Sequence, residues 1–247
     1  MAWVLDLDGV IWLAEEPIPG APEAVARLHV TGEDLVFVTN NSNPTVADNK
    51  AKLSEHGIEA EGHVVTSAMA AAELVEPDER VLICAGPGVR DAVLARGAKE
   101  ADGDDVDVVV VGFHREFDYE RMRVAATAVR RGARLLATND DATYPTPDER
   151  IPGAGAILAG IEKAAGVSAT VAGKPYRPMA DLIRARFGDS GLVVGDRADT
   201  DGRLARALGY RFALVLTGVT KRGDLPVDPE PDILGDDLTA VVDEVLD

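Results

Sequence analysis

This chain of 247 residues has little cysteine, little lysine and no long hydrophobic run. Cys84 is the single cysteine, which excludes a disulfide framework and a cysteine-rich zinc site. The apolar runs are far shorter than the ~20 residues that a membrane-spanning helix requires. The first ten residues carry two aspartates and no basic residue, so we expect no signal peptide. These absences favour a soluble cytoplasmic protein.

The charge of the chain is strongly one-sided. Acidic residues number 43 and basic residues 25, of which only six are lysine, and the net charge is −18. This negative field repels nucleic-acid phosphates and anionic lipids, so we expect neither nucleic acid nor membrane as a partner. An acid-rich surface with arginine preferred to lysine is typical of a protein adapted to high salt. An ordinary acidic cytoplasmic protein is the alternative.

Apolar runs alternate with segments of helical periodicity along most of the chain, whose length allows one large domain or two modest ones. Several runs are continuously apolar, as in parallel strands that are covered on both faces. The pattern predicts an α/β protein with a doubly wound, Rossmann-like parallel sheet. The predicted strands are Trp3–Leu7, Leu35–Thr39, Val81–Cys84, Val106–Val111, Arg134–Ala137, Leu192–Val194 and Phe212–Leu216.

Two aspartates, Asp6 and Asp8, stand at the end of the first predicted strand and precede Gly9. Residues two apart on a strand share one face, so we expect both carboxylates to point into the same small space. Like charges that close raise each other's pKa unless a cation lies between them. A turn cap explains one aspartate but not both, so the pair indicates a functional site.

Two further segments offer hydrogen-bond donors to an anion. Thr39 and Asn40 end the second predicted strand and lead toward a helix. Lys174, one of the few lysines, lies between a glycine and a proline at another helix entrance. Each signal is weak alone, because a helix cap or a solvated loop lysine explains it equally well.

A second group of acids follows the predicted strand Leu192–Val194. Carboxylates next to a buried strand cost free energy unless a cation or hydrogen-bond donors contact them, and this segment carries Asp196, Asp199 and Asp201. A helix predicted over Thr200–Leu208 needs only one of these acids as a cap. Oxygen ligands that include two or more carboxylates suit Mg²⁺. The lysine and the hydroxyl suit a phosphoryl group, whose charge spreads over three oxygens.

This ordered set resembles the haloacid dehalogenase superfamily and, within it, the NagD-like phosphatases of subclass IIA. The resemblance rests on Asp6-Leu7-Asp8-Gly9-Val10, Val38-Thr39-Asn40-Asn41-Ser42, Gly173-Lys174-Pro175 and Gly195-Asp196-Arg197 with Asp199-Thr200-Asp201. Each motif is short, but four in order at fitting spacing form a specific signal over nearly the whole chain. The resemblance implies a Mg²⁺-dependent phosphatase that acts on a small-molecule phosphomonoester, such as a sugar, nucleotide or glycolate phosphate.

Carried over by position, the resemblance gives the residues catalytic roles. It makes Asp6 the nucleophile that takes up the phosphoryl group as an aspartyl phosphate. Asp8 becomes the general acid for the leaving alcohol and then the base that activates water. Thr39 and the Asn40 amide would hold the phosphoryl oxygens, and Lys174 would neutralise charge beside Asp6.

The resemblance also implies the ligands of Mg²⁺. Asp6, the main-chain carbonyl of Asp8 and Asp196 would hold the ion, and Asp201 would order water bound to it. Asp199 remains an acid at a helix start, without an assigned role.

Spacing locates an inserted domain. Only 33 positions separate Asp6 from Thr39, whereas 135 separate Thr39 from Lys174. We therefore predict a catalytic core formed by residues 1–75 and 173–247 and an inserted α/β cap, acting as a substrate lid, formed by residues 76–172. Within the cap, Ala137–Pro145 resembles the family's substrate-facing loop, although relatives commonly have proline at the position of Asp140. The resemblance also allows a homodimer formed through the cap.

Two other functions use related residues. A phospho-acceptor receiver module combines aspartates, a threonine and a lysine on a doubly wound sheet, but within one domain of ~120 residues and in another chain order. A catalytically idle phosphometabolite sensor is the other alternative, and the presence of Asp6, Asp8, Lys174 and Asp196 argues against it. Sustained turnover of p-nitrophenyl phosphate would distinguish the enzyme from a receiver.

The net charge predicts a salt dependence of stability. At 0.1 M salt the Debye length is ~10 Å, so repulsion among surface acids is only partly screened, and it weakens at molar salt. We therefore expect the thermal unfolding midpoint to rise between about 0.1 M and about 2 M KCl. Thermal melts across this series test the prediction, and a flat or falling midpoint would refute the salt-adapted interpretation alone.

Overall fold

A computed structural model of the chain describes residues 1–60, 63–145 and 149–246. The chain forms two compact units. The first unit comprises Met1–Thr39, Asp48–Val65 and Lys174–Asp247, and the second comprises Asn40–Ala47 and Thr66–Gly173.

The described residues form the strands and helices that follow. The strands are β1 (Ala2–Asp6), β2 (Trp12–Leu13), β3 (Glu16–Pro17), β4 (Asp34–Thr39), β5 (Val64–Thr66), β6 (Arg80–Cys84), β7 (Lys99–Glu100), β8 (Val108–Val111), β9 (Arg134–Ala137), β10 (Thr143–Pro145), β11 (Arg150–Pro152), β12 (Thr170–Val171), β13 (Gly191–Gly195), β14 (Arg211–Val215) and β15 (Ile233–Gly235). The helices are α1 (Ala21–Thr31), α2 (Val46–Glu55), α3 (Ser67–Ala72), α4 (Pro87–Ala95), α5 (Tyr119–Arg130), α6 (Ala154–Ala165), α7 (Arg177–Phe187), α8 (Arg203–Leu208) and α9 (Leu238–Leu246).

The first unit is built on a six-stranded sheet in the order β15-β14-β13-β1-β4-β5. β1 pairs in parallel with β13 and β4, and the parallel pairing continues from β13 to β14 and β15. Every residue of β1 and β13 is buried, as expected for central strands covered on both faces. The carboxyl ends of β4, β1 and β13 therefore lie side by side, and they carry Thr39, Asp6 and Asp196.

The second unit has its own sheet of five parallel strands, in the order β12-β9-β8-β6-β7. The four valines of β8 are all buried. Val109 and Val111 share a core with Ala125 of α5 and with Leu158 and Ile161 of α6. The predicted fold class, a doubly wound parallel α/β protein with an inserted α/β unit, is confirmed.

Glycine ends several of the helices in the first and second units. α6 ends at Gly166 (φ 78°), whose N–H donates to the carbonyl of Glu162 at 2.8 Å. α8 ends in the same left-handed conformation at Gly209 (φ 75°). Glycine takes this conformation without a Cβ clash, so the chain can turn back toward the next strand.

Two predictions of local structure need correction. The helix predicted over Thr200–Leu208 is a π-helical turn, Ala198–Gly202, followed by α8. Such wide turns commonly occur at functional sites. The pattern of apolar residues also fails to predict the strands of two or three residues, because so short a segment shows no measurable hydrophobic periodicity.

Among the described residues, no helix combines the length and the apolar composition that spanning a membrane would require.

Candidate active site

Strand order in the first unit's sheet reverses between β1 and β13. From β1 the chain continues to β4 and β5 on one side, and from β13 to β14 and β15 on the other. In open α/β sheets, ligands bind outside the carboxyl ends of the strands at such a reversal. Asp6 is the last residue of β1 and Asp196 directly follows β13, so the topology brings these two acids to that point.

Asp6 is buried at the end of β1. Its Oδ1 accepts a hydrogen bond from the Leu7 N–H at 2.8 Å and lies 2.7 Å from Nζ of Lys174. Burial raises the pKa of Asp6 well above its ordinary value, the charge of Lys174 opposes this rise, and the neighbouring Asp201 and Asp196 add to it.

Asp8 lies in the turn that follows β1. β1 ends at Asp6, so the alternation of a strand does not reach Asp8. The chain turns instead at Gly9 (φ 86°), and the Asp8 carboxylate accepts a hydrogen bond from the indole N–H of Trp12 at 3.1 Å. Burial raises the pKa of Asp8, and the bond from Trp12 partly offsets the rise.

Lys174 is the cation of the site. Its Nζ lies 2.7 Å from Oδ1 of Asp6 and 2.7 Å from Oδ1 of Asp201, and only 3% of the side chain is exposed. Burial lowers the pKa of Lys174, but the charges of Asp201 and Asp6 outweigh it, so the pKa lies above its ordinary value. Lys174 therefore carries a fixed positive charge at neutral pH.

The chain after β13 holds the other two acids in place. The Arg197 N–H donates to Oδ2 of Asp201 at 3.1 Å, and the Val219 N–H donates to Oδ2 of Asp196. A Cβ added at Gly218 would lie 1.9 Å from that same Oδ2. Glycine at 218 is thus what lets the backbone approach the Asp196 carboxylate.

Together, these residues form a cluster that is suited to a metal ion. Ligand atoms of Asp6, Asp196 and Asp201 lie within 4.8 Å of one another. When all are ionised, three carboxylates and the single ammonium of Lys174 leave two negative charges, which matches one divalent cation. Burial, reinforced by Asp201, raises the pKa of Asp196 to about 7, so without a cation the cluster retains a proton near neutral pH.

Asp199 lies outside this cluster. Its carboxylate receives two hydrogen bonds from the Arg197 guanidinium, at 3.0 and 2.8 Å, and these bonds lower its pKa. Asp199, the remaining acid of this segment, is therefore an ion-pair partner for Arg197.

Thr39 and Asn40 are neighbours in sequence that fall in different units. Thr39 is the last residue of β4 and is buried. Asn40 belongs to the second unit, where its side-chain amide donates to Oδ2 of Asp141 at 3.1 Å. Its carbonyl accepts hydrogen bonds at 2.7 Å from the Ser67 hydroxyl and from the Asn139 amide.

The loop after β9 forms these bonds as part of the second unit. Asn139 also accepts a bond from the Asp141 N–H at 3.2 Å, which folds the loop back on itself. The Tyr144 hydroxyl accepts a bond from the Asn41 amide at 3.3 Å, and the Tyr144 ring stacks on Phe113. The conformation of residues 137–145, with Asp140 in place of proline, is thus fixed by polar contacts to residues 40–42.

Several residues at the site are not predicted by the sequence. Trp12, which bonds to Asp8, lies on a two-residue strand that gives no periodic signal. Gly218 and Val219 lie in a loop that carries no acid or lysine of the motifs. A buried carboxylate needs donors, but the sequence does not show which loop supplies them.

Comparisons with known proteins identify the family. The profile of the haloacid dehalogenase-like hydrolases matches residues 3–99, and a second profile, described as HAD-hydrolase-like, matches residues 171–241. An acid sugar phosphatase of Staphylococcus haemolyticus is 32% identical over 252 residues, covering 98% of this chain and 95% of that protein. The chain belongs to the haloacid dehalogenase-like hydrolases.

Solved structures of phosphatases share this fold. A p-nitrophenyl phosphatase from Archaeoglobus fulgidus is 30% identical, covers 98% of each chain and has a TM-score of 0.93. A glycerol phosphate phosphatase from Mycobacterium tuberculosis, in complex with magnesium, is 35% identical over 97% of this chain and 75% of that one, with a TM-score of 0.88. The chain is accordingly an enzyme, a phosphatase of this hydrolase family, and the predicted family is confirmed.

Asp196 predicts how pH acts on the metal-free protein. The folded-state pKa of Asp196 is about 7, above the ordinary 3.8. Its protonated form therefore contributes its full share to the free energy of unfolding below about pH 4, and this contribution is lost as pH rises through about 7. With EDTA present, the wild-type melting midpoint should therefore fall relative to that of Asp196→Asn between about pH 5 and about pH 7.5. Thermal melts of both proteins measure this difference, and parallel curves would contradict it.

Gly218 predicts a steric effect on metal binding. In Gly218→Ala the new methyl group must displace the Asp196 carboxylate, so we expect Mg²⁺ affinity to fall by about tenfold or more. Gly223→Ala is the matched control, because no atom lies within 4 Å of a Cβ added there. Calorimetric titration with Mg²⁺ compares the two variants, and an unchanged affinity in Gly218→Ala would refute the steric argument.

Proposed function

We propose that the chain is a Mg²⁺-dependent phosphomonoesterase that transfers the phosphoryl group of a small-molecule ester to Asp6 and then to water. The observation that carries the proposal is the buried contact of Lys174 with Asp6 and Asp201, next to Asp196, where the strand order reverses. A carboxylate, a fixed cation and two further acids in one cluster supply what phosphoryl transfer needs.

The contacts of Asp6 suit a nucleophile. Among the described residues, both of its bonding partners, the Leu7 N–H and Lys174, contact Oδ1. Oδ2 is left to attack the phosphorus, forming an oxygen–phosphorus bond as the bond to the leaving alcohol breaks. Lys174 holds the carboxylate in orientation and offsets negative charge on the phosphoryl oxygens, and the buried Thr39 hydroxyl and the Asn40 amide would hold those oxygens.

Asp8 is the proposed proton carrier. Burial raises its pKa, which favours a carboxylic acid that can donate a proton to the departing alkoxide. The resulting carboxylate then takes a proton from the water that attacks the aspartyl phosphate. The oxygen–phosphorus bond to Asp6 breaks, phosphate leaves and both aspartates return to their starting states.

The acid cluster fits a divalent ion in ligand type, ligand spacing and charge. Asp6, Asp196 and the main-chain carbonyl of Asp8 would hold Mg²⁺, an ion that prefers oxygen ligands, and Asp201 would order water bound to it. When bound, the ion neutralises charge on these carboxylates and on the phosphoryl group. The complex of the mycobacterial relative with magnesium supports this assignment.

The relatives support a small phosphate ester as substrate, since their names include an acid sugar phosphatase and a glycerol phosphate phosphatase. We therefore propose a sugar, nucleotide or glycolate phosphate rather than a protein or nucleic acid. Residues 76–172 are proposed as the substrate lid and as the surface of a homodimer. A cytoplasmic location and adaptation to high salt complete the proposal.

Separate variants of the two aspartates test this mechanism. Asp6→Asn should abolish turnover and leave no covalent phosphoprotein. Asp8→Asn keeps the nucleophile but loses general acid–base help, typically ~10²–10⁴-fold, and alkyl phosphates with poor leaving groups should suffer most. From p-nitrophenyl phosphate, which barely needs the proton, aspartyl phosphate should still form and then hydrolyse slowly.

Rapid-quench mass spectrometry of both variants measures the phosphoprotein. Phosphate trapped on Asp8, or an equal loss for both leaving groups in Asp8→Asn, would show that the roles are assigned wrongly. Absence of turnover in the wild type with Mg²⁺ across a panel of phosphometabolites would favour the idle sensor or the receiver module.

A further inference from the structure

The Asp8 side chain has a single contact that fixes its direction. Among the residues that the structure describes, the indole N–H of Trp12 is the only group that hydrogen-bonds the Asp8 carboxylate, to Oδ1 at 3.1 Å. Asp8 is only partly buried, and beyond the end of β1 no strand holds its side chain. Without this bond, the carboxylate would rotate between several rotamers.

The backbone holds Trp12 over Asp8. The Gly9 N–H donates to the carbonyl of Trp12 at 2.7 Å, and the Trp12 N–H donates to the carbonyl of Leu7 at 3.2 Å. Trp12 is the first residue of β2, which pairs with β3 in a hairpin. Only 3% of Trp12 is exposed. The loop of Asp8 and the hairpin are thus one rigid turn.

Lys52 of α2 contacts both the Trp12 ring and the turn of this hairpin. Its ammonium lies 4.6 Å from the centroid of the Trp12 ring and donates to the carbonyl of Ala14 at 2.6 Å. Ala14 has a positive φ of 55°, which a residue with a Cβ adopts only when its surroundings hold it there. The cation–π contact and the bond to Ala14 therefore fix both the ring and the turn of the hairpin.

We propose that Trp12 is a positioning residue for Asp8, and that Lys52 acts through Trp12 by holding its ring in place. The inference rests on the proposed role of Asp8 as general acid and base. An indole N–H is a donor only, so it orients Oδ1 without competing for the transferred proton. Oδ2, which accepts no hydrogen bond from the described residues, is left to face the leaving group.

A pair of substrates of nearly equal size isolates this role. Phenyl phosphate and p-nitrophenyl phosphate differ only in the nitro group, so they differ chiefly in how much the leaving group needs a proton. In Trp12→Phe an aromatic face remains for Lys52, although the ring is smaller, and the N–H is lost. We expect kcat/KM for phenyl phosphate to fall by about tenfold, while that for p-nitrophenyl phosphate changes by less than about twofold.

Trp3→Phe is the matched control. Trp3, the other tryptophan, is equally buried and donates its indole N–H to Glu33 at 2.7 Å, away from the acid cluster. Its substitution should lower stability and leave the ratio of the two kcat/KM values unchanged. A fall of equal size for both substrates in Trp12→Phe would mean that Trp12 only supports the fold, and the inference would be wrong.

The double variant Trp12→Phe/Asp8→Asn distinguishes this inference from the proposed function. If Trp12 acts through Asp8, adding Trp12→Phe to Asp8→Asn should not change the ratio beyond its value in Asp8→Asn alone. An additional change would overturn the inference. If Asp8→Asn itself leaves the ratio unchanged, the proposed role of Asp8 is wrong and the inference is wrong with it. If Asp8→Asn shifts the ratio and Trp12→Phe does not, only the inference is wrong.

Lys52 provides a second test that spares the indole. Lys52→Met should shift the ratio in the same direction by a smaller factor, and Lys52→Arg, which keeps a cation over the ring, should restore it. Lys50→Met is the control on the same helix, because residues two apart lie on different faces. If the ratio is unchanged in Lys52→Met, Lys52 does not help to position Asp8.

Discussion

The acid cluster of the first unit is held together by one buried ammonium group. Lys174 lies between the carboxylates of Asp6 and Asp201, and burial of these charges is tolerated because they neutralise one another. Removing the lysine would leave several carboxylates without a cation, at a cost of about 3–5 kcal/mol or more. The same contact joins the end of β1, the segment before α7 and the turn after β13, so it links the acid cluster to the strands that carry it.

How far the sequence predicts this site depends on the kind of residue. Asp6 and Asp196 are predictable, because an acidic residue at the end of a buried strand needs a cation or hydrogen-bond donors. Lys174 is a weak signal alone and gains weight only together with the other motifs. The joining of Asp6 to Asp196 is also predictable, since parallel strands present their ends at one edge. The expectation that Asp8 points into the same space as Asp6 stays a prediction, because β1 ends at Asp6 and the alternation of a strand does not reach Asp8.

Other parts of the site follow from contacts that no local pattern encodes. Gly218 matters only because a carboxylate from a distant strand lies against it. The π-helical turn at 198–202 places Asp201 beside Lys174, whereas a regular helix from Thr200 is what its sequence pattern predicts. The division of Thr39 and Asn40 between two compact units is likewise set by the second unit's own hydrogen bonds.

The two tryptophans of the chain also have a spectroscopic consequence. Trp3 is fully buried against Glu33, whereas Trp12 lies under the Lys52 ammonium and bonds to Asp8. Indole emission responds to nearby charge and to hydrogen bonding at its nitrogen. We therefore expect the emission of Trp12 to respond to the charge of Asp8 more than the emission of Trp3 does. The hydrogen bond between Trp12 and Asp8 can thus be followed optically in the unlabelled protein.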